Sequence, residues 1–491
     1  FVRLFFFILR RLSKQSLGCR NDDVVLAFFH PYCAGGGGGE RVLWVGVKAL
    51  FDSSQIFKHI VIYAGDEGAS KQEIIKQVKN RFDISFTKKE VEHLHIVFIK
   101  SRTLLEAKWY PVGTMLFQSL ASALVGLECI LRFTPDVFCD TMGAAFTYPV
   151  AYYLCNAIIV AYVHYPIIST DMLQKVREQR PSYNNASTIA SSVTISSLKL
   201  CYYQLIAYAY SWAGRHAQVV MVNSSWTKQH IAHLWWSARS SSPTPSTGRR
   251  LSLVYPPCNT TALLAMETDK TVSLSTTASS SSSGKKKSKP SVRTDTGETK
   301  KRMILSIGQF RPEKDHMLQI RAVQCLIETD PSKYDDVELV IMGSTRHADD
   351  ETLLHSLQTE VTHLNLQNHI RFIPNGAYSL LQSYMKAADM GIHTMWNEHF
   401  GISVVEMMAA GLVVVAHNSG GPRMDIITSS EHATRATNGN TPVEYAQALG
   451  RVLDDPVGHC TVRQHARSSV LRFSDEQFCK QFVHELELAL K

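Results

Sequence analysis

Ten cysteines are scattered along the 491 residues, but no two form a C-x-x-C pair and none stands with histidines at metal-ligand spacing. That pattern argues against a structural zinc site and against a disulfide framework, and it suits a reducing compartment. No D-x-D triplet occurs, so no local carboxylate pair is set out to clamp a metal diphosphate. A glycine run is present, yet it is neither a P-loop, because no Lys-Ser/Thr follows, nor a G-x-G-x-x-G at dinucleotide-binding spacing. No apolar run continues uninterrupted for the roughly 20 residues that a spanning helix needs. Charged residues make up 19% of the chain, and its excess of +8 comes partly from one low-complexity tract around Lys285-Lys286-Lys287. That tract has no interleaved aromatics, so the charge reads as a basic linker or as attraction to an anionic membrane surface, and no nucleic-acid partner is expected.

What is present is a folded chain with 45% apolar residues, long enough for two or three domains. Phe1 to Leu9 is apolar except for Arg3 and is followed by Arg10, Arg11, Lys14 and Arg20. Residues 1–21 are expected to be the tail of a truncated membrane anchor with a basic flank that keeps the following domain cytosolic; a cleaved signal peptide or a buried strand is the alternative. Strand-like runs then alternate with helix-length segments: Val24 to Phe29, His59 to Tyr63, His95 to Ile99, Asp136 to Cys139, Ile158 to Val163 and Gln218 to Val222. Such alternation predicts a parallel sheet with helices on both faces. Two segments, Val112 to Leu131 and Met142 to Val163, are unusually apolar, and helices lying on a membrane or plain burial account for them equally. Thr268 to Arg302 is low in complexity, with serine unbroken from Ser279 to Ser283, and is expected to be a disordered insertion. After it the alternation resumes at Met303 to Gly308, Val337 to Met342, Ile370 to Ile373, Met390 to His393 and Leu412 to Ala416. The expected organisation is an N-terminal α/β domain over 22–250, a crossover with the insertion over 251–300, a second α/β domain over 301–473 and a final helix over 474–491.

Four stretches carry chemistry. The first strand runs into Gly35 to Gly39, and Glu40 is expected to open a helix; strand, glycine loop and helix let backbone approach a phosphate closely. His164 directly follows a buried strand, where open α/β sheets place ligands. Arg311 and Lys314 lie three apart in a loop after a strand and suit an anionic leaving group. In Asn397-Glu398-His399-Phe400-Gly401-Ile402-Ser403-Val404-Val405-Glu406, two carboxylates flank the expected start of a helix at Gly401. A helix start binds phosphate, and the two carboxylates can each accept hydrogen bonds from a sugar ring. Each of these is common as an ordinary loop, cap or structural histidine; it is their combination that points to nucleotide-sugar chemistry.

Together they resemble the retaining GT-B glycosyltransferases, with two Rossmann-like domains facing a central cleft. His30-Pro31-Tyr32-Cys33 with Glu40-Arg41-Val42-Leu43-Trp44, Asp140 to Pro149, His164-Tyr165-Pro166, Val220 to Thr227, Gly308 to Asp315 and Met395 to Glu406 with His417 to Pro422 are similar to the α-1,2-mannosyltransferases of asparagine-linked glycosylation. Departures from that pattern are Ala34-Gly35 before the glycines, Ile167 and Ser403. The resemblance implies GDP-mannose as donor, a dolichyl-diphosphate oligosaccharide as acceptor, no metal cofactor, and the cytosolic face of the endoplasmic reticulum membrane, where other lipid-linked-oligosaccharide mannosyltransferases are possible partners. It also implies roles. Glu398 holds the donor mannose and Glu406 the ribose, while His164 meets the mannose from the other domain. Gly36, Gly37, Gly38 and Gly39 line the cleft near the diphosphate and acceptor. Phe400, Gly401 and Ile402 offer backbone N–H groups to the departing GDP beside Arg311 and Lys314. A sibling transferase with another acceptor, or a non-catalytic scaffold of the same fold, are the alternatives.

Overall fold

The computed structural model describes residues 1–66, 68–169, 172, 193–236, 248–266, 301–429, 434–435, 441–455 and 458–491. They form two compact units, residues 1–257 with 475–491, and residues 258–474. The Ser/Lys-rich insertion expected over 268–300 lies outside the described residues.

The first unit is built on seven strands: β1 Val25–Phe29, β2 His59–Ala64, β3 Leu94–Phe98, β4 Val137–Asp140, β5 Ile158–Val163, β6 Val219–Val222 and β7 Arg250–Leu253. All pairings are parallel, in the order β3-β2-β1-β4-β5-β6-β7. Every residue of β1 is buried, because both faces of the sheet are covered and the strand reads as an unbroken apolar run. The pleat divides it: Val25, Ala27 and Phe29 enter one core, Leu26 and Phe28 the other. The first core is closed by Phe6 of helix Val2–Ser16, by helices Thr114–Arg132 and Thr147–Cys155, and by Tyr203 and Tyr210 of helix Val193–Gly214. The second is closed by helix Gly38–Ser53 and by the last helix, Asp475–Leu488, whose Phe482 stacks on Phe28 at 6.4 Å. Arg41 Nη2 fastens that helix through Asp475 Oδ2 at 2.6 Å.

The second unit has β8 Arg302–Ile307, β9 Val337–Gly343, β10 Ile370–Pro374, β11 Met390–His393, β12 Val413–Ala416 and β13 Thr434–Arg435, parallel in the order β10-β9-β8-β11-β12-β13. Each sheet reverses its strand order once, at β1/β4 and at β8/β11. There the connections leave in opposite directions and a crevice opens at the carboxyl ends of the strands.

Several expectations need correction. The first sheet continues past residue 250, because Arg250 to Leu253 pairs with Val219 to Val222. The final helix belongs with the first unit rather than standing apart. Met142 to Val163 is no single apolar helix: Asn156, in left-handed conformation, ends helix Thr147–Cys155 and β5 follows. The helix after the glycines starts at Gly38, so Gly38 and Gly39 lie in its first turn and not in the loop. The apolar start of the chain is a helix, Val2–Ser16, docked on the first unit by Lys14 Nζ, 2.8 Å from Asp136 Oδ2, and by Arg10 donating to the Cys155 carbonyl.

Candidate active site

The second unit gathers its charged residues at the β8/β11 switch point. After β8, Pro312–Lys314 makes a single 3-10 turn and Asp315 adopts a left-handed conformation, its Oδ1 accepting the Leu318 N–H at 3.2 Å to start helix His316–Thr329. Thr394, directly after β11, donates from its hydroxyl to the Lys314 carbonyl at 2.8 Å and accepts from Gln319 Nε2 at 2.9 Å. This ties the Lys314 loop to the end of β11, so two segments eighty residues apart in sequence become neighbours.

Lys314 Nζ forms an ion pair with Glu398 Oε2, and it lies 3.2 Å from Met395 Sδ. His393 Nε2 lies 3.2 Å from the same Oε2, while Glu398 Oε1 accepts the His399 N–H at 3.1 Å. Burial opposes the carboxylate charge, yet the Lys314 ammonium, with help from His393, holds the Glu398 carboxyl well below its usual range. The same burial pushes the His393 imidazole below its ordinary value, against the pull of Glu398. The site therefore keeps a buried anion beside a neutral imidazole and a cation. Arg311 is placed differently: its Nε faces the buried Asp350 Oδ1 at 3.8 Å.

The loop carrying Glu398 is gripped from below by the turn after β12. Gly421 N donates to the Glu398 carbonyl at 2.8 Å, and Asn397 N to Ser419 Oγ at 2.7 Å. At Gly420, with φ of +57°, a Cβ would lie 2.3 Å from the Glu398 carbonyl oxygen. Only glycine allows that approach. Gly401, at φ +107°, then turns the chain into helix Ile402–Ala409, as expected. Glu406 is part-buried in the second turn of that helix. Phe400 directs its ring into the core, edge-on to Phe473 at 5.2 Å, so it faces a ligand only through its backbone.

In the first unit the β1/β4 switch point collects three side chains. His30, at the end of β1, is buried, with Nδ1 2.8 Å from Thr141 Oγ1. His164 Nε2 donates to the Thr141 carbonyl at 3.2 Å, which fixes the proton on that nitrogen. Burial drives the His30 pKa down to about 3, so that ring is neutral. Thr141 is held by the turn around Asp140, whose carboxylate accepts from Tyr148 Oη at 2.6 Å and Met142 N at 2.8 Å; burial raises its pKa to about 6. A Cβ on Gly39 would lie 3.5 Å from His164 Nε2, so the glycine run and His164 meet. Gly37 N donates to Glu40 Oε2 at 2.9 Å, and Arg81, which donates to the Ala34 carbonyl, passes over Gly36.

The structure thus joins Lys314 to Glu398 and His164 to Gly39. It sends Arg311 to Asp350 and Phe400 into the core. Sequence reasoning missed His393, Thr394 and Gln319, and gave His30 and Thr141 no role beyond their place in motifs. For all of these but Gln319, which lies within helix His316–Thr329, the available signal was a polar residue at the carboxyl end of an otherwise apolar strand. Among the described residues, no group of three or more His, Cys, Asp or Glu side chains is arranged to hold a metal ion.

Residues 23–235 match the family model described as ALG11 mannosyltransferase N-terminus, and residues 288–468 match Glycosyl transferases group 1. A Mus musculus relative is 38% identical over 98% of this chain and 91% of its own length. A Homo sapiens relative is 37% identical over 99% and 91%, and one from Dictyostelium discoideum 36% identical over 96% and 85%. All three are named GDP-Man:Man(3)GlcNAc(2)-PP-Dol alpha-1,2-mannosyltransferase. Among solved structures, sucrose-phosphate synthase from Thermosynechococcus elongatus superposes with a TM-score of 0.63 at 16% identity, covering 94% of this chain and 98% of that one. Anabaena HepE in complex with UDP-glucose gives 0.59 at 15%, covering 94% and 99%. These two share the fold, two parallel-sheet α/β units of the GT-B kind. The chain belongs to the family of GDP-Man:Man(3)GlcNAc(2)-PP-Dol alpha-1,2-mannosyltransferases.

Proposed function

We propose that this chain transfers mannose from GDP-mannose, in α-1,2 linkage and with retention, onto a dolichyl-diphosphate oligosaccharide, adding the fourth and fifth mannoses to Man3GlcNAc2. The observation that carries the reading is the Lys314–Glu398 pair at the β8/β11 switch point, in a chain of this family. Glu398 accepts hydrogen bonds from the donor mannose. Lys314 leaves it to meet the diphosphate, and Arg311, once released from Asp350, adds a second positive charge near the departing GDP. Backbone N–H groups at Gly401 and Ile402, at a helix start, face the same anion, and Glu406 takes the ribose. His164 contacts the mannose, and Gly36 to Gly39 line the path to the acceptor. The chain's part is positioning and electrostatics: as the C1–O bond to phosphate breaks, the acceptor hydroxyl attacks from the same face and its proton passes to the leaving phosphate.

The acceptor lipid gives a reason for the exposed apolar residues. Phe5, Ile8 and Leu12 of helix Val2–Ser16, and Phe117, Leu120 and Leu124 of helix Thr114–Arg132, are exposed on helices that close one core of the first unit. Helix Thr114–Arg132 is long and apolar enough to cross a membrane by composition, yet Glu128 within it accepts the Lys100 and Ser101 N–H groups at 2.9 Å. The reading is that this face rests on the endoplasmic reticulum membrane from the cytosolic side.

A donor panel with EDTA present tests the chemistry. GDP-mannose alone is expected to support transfer, and chelator to leave the rate unchanged. Equal use of a UDP-sugar, or loss of activity with EDTA, would overturn the donor or the metal-free account.

A further inference from the structure

His393 ends β11 and is 2% exposed. Its Nε2 lies 3.2 Å from Glu398 Oε2, and no hydrogen bond from it to any described residue is formed. A buried ring nitrogen without a bond carries its full desolvation cost, and buried polar groups are seldom left so. The oxygen it faces is the one that Lys314 occupies.

We propose that His393 is the positioning residue that holds Glu398 in place once Lys314 has moved to the donor's diphosphate. The inference rests on reading Glu398 as the contact to the donor sugar. A lysine ammonium on a flexible stem cannot serve both anions at once, and the diphosphate carries more charge than the carboxylate. Its departure strips a buried carboxylate of its cation. His393 Nε2–H is already within reach, and a small ring rotation aligns it on the vacated oxygen. The imidazole is neutral, held so by burial, so it fixes the carboxylate without cancelling the negative charge that the sugar's developing positive charge meets. Thr394, the next residue, fastens the Lys314 loop, so the end of β11 controls both partners of the ion pair.

The test compares His393→Phe, His393→Asn, His393→Gln and Glu398→Gln for kcat and KM with GDP-mannose, for GDP affinity by calorimetry, and for melting temperature. Gln can place an amide nitrogen where Nε2 stands, whereas Asn is polar but too short. Expected are kcat losses of about 10- to 100-fold in Phe and Asn, by analogy with residues that orient a metal ligand, with GDP affinity within about twofold and most of kcat recovered in Gln. Wild-type kcat in Phe or Asn, or a loss shared by all three together with weakened GDP binding, would overturn the proposal. If Glu398→Gln is inactive while His393→Phe is not, the inference alone fails; if Glu398→Gln is fully active, the reading beneath it fails.

Discussion

Replacing Lys314 by methionine keeps the stem and removes the ammonium. Glu398 then stays in its pocket, at a side-chain exposure of 13%, with the His393 imidazole but no cation beside it. Removing one partner of a buried ion pair costs about 3–5 kcal/mol. Both side chains retain some solvent contact, so we discount this to about 2–4 kcal/mol. For a unit of this size each kcal/mol moves the melting temperature by about 2–4 °C, so a drop of roughly 4–16 °C is expected. The pH dependence is the sharper signature. In the wild type the Glu398 pKa is depressed, so its contribution is present above the ordinary carboxylate range and is lost as pH falls through the folded value. In the variant the carboxyl is buried without its cation and its pKa rises, so its penalty is relieved by protonation as pH falls. The gap between the two proteins is therefore largest near pH 7.5 and narrows toward pH 5. Differential scanning fluorimetry across that range reads it directly, and Lys314→Met with Glu398→Gln should close most of the gap at neutral pH. A gap that is constant with pH, or a double variant no more stable than Lys314→Met, would refute the ion-pair argument.

Glu398→Gln is expected to lower kcat by about 10²–10³-fold, read in a steady-state assay. Gly420→Ala forces a Cβ to within 2.3 Å of the Glu398 carbonyl in a left-handed conformation; it should cost about 1–3 kcal/mol and reduce kcat, measured by thermal melting and turnover. His30 is neutral in the fold, with its pKa lowered by burial to about 3 against an ordinary 6.5. The unfolded chain binds that proton first, so stability should decline as pH falls below about 6.5, and His30→Phe should flatten that part of the profile. Leu120→Glu with Leu124→Glu, both on the exposed face of helix Thr114–Arg132, should weaken sedimentation with anionic liposomes without lowering the melting temperature.

The sequence shows the strands most plainly where both faces are buried. Val25–Phe29 and Ile158–Val163 are continuous apolar runs of the kind that a covered parallel sheet houses. It hides Arg250–Leu253, a sheet-edge strand whose four residues include an arginine and a serine and are none of them fully buried. It hides the start of helix Gly38–Ser53 because glycine has no helical preference; the turn is defined by Glu40 reaching back to the Gly37 N–H. Glu398 and Lys314 could be named as residue types, but their meeting depends on the strand order that places β8 beside β11, a long-range fact absent from either local stretch. For the same reason the partner of Arg311, Asp350, could not be anticipated. His393 carries no spacing signal of its own, and His30 stands out in the sequence only as the first residue of the His30-Pro31-Tyr32-Cys33 motif.

The central claim is tested most directly by incubating the purified chain with GDP-mannose and a dolichyl-diphosphate trimannosyl-chitobiose acceptor, and weighing the released glycan. The account predicts a gain of two hexoses, removed by α-1,2-mannosidase and absent with Glu398→Gln. A folded protein that adds no hexose, or adds one only to a shorter acceptor, would contradict it.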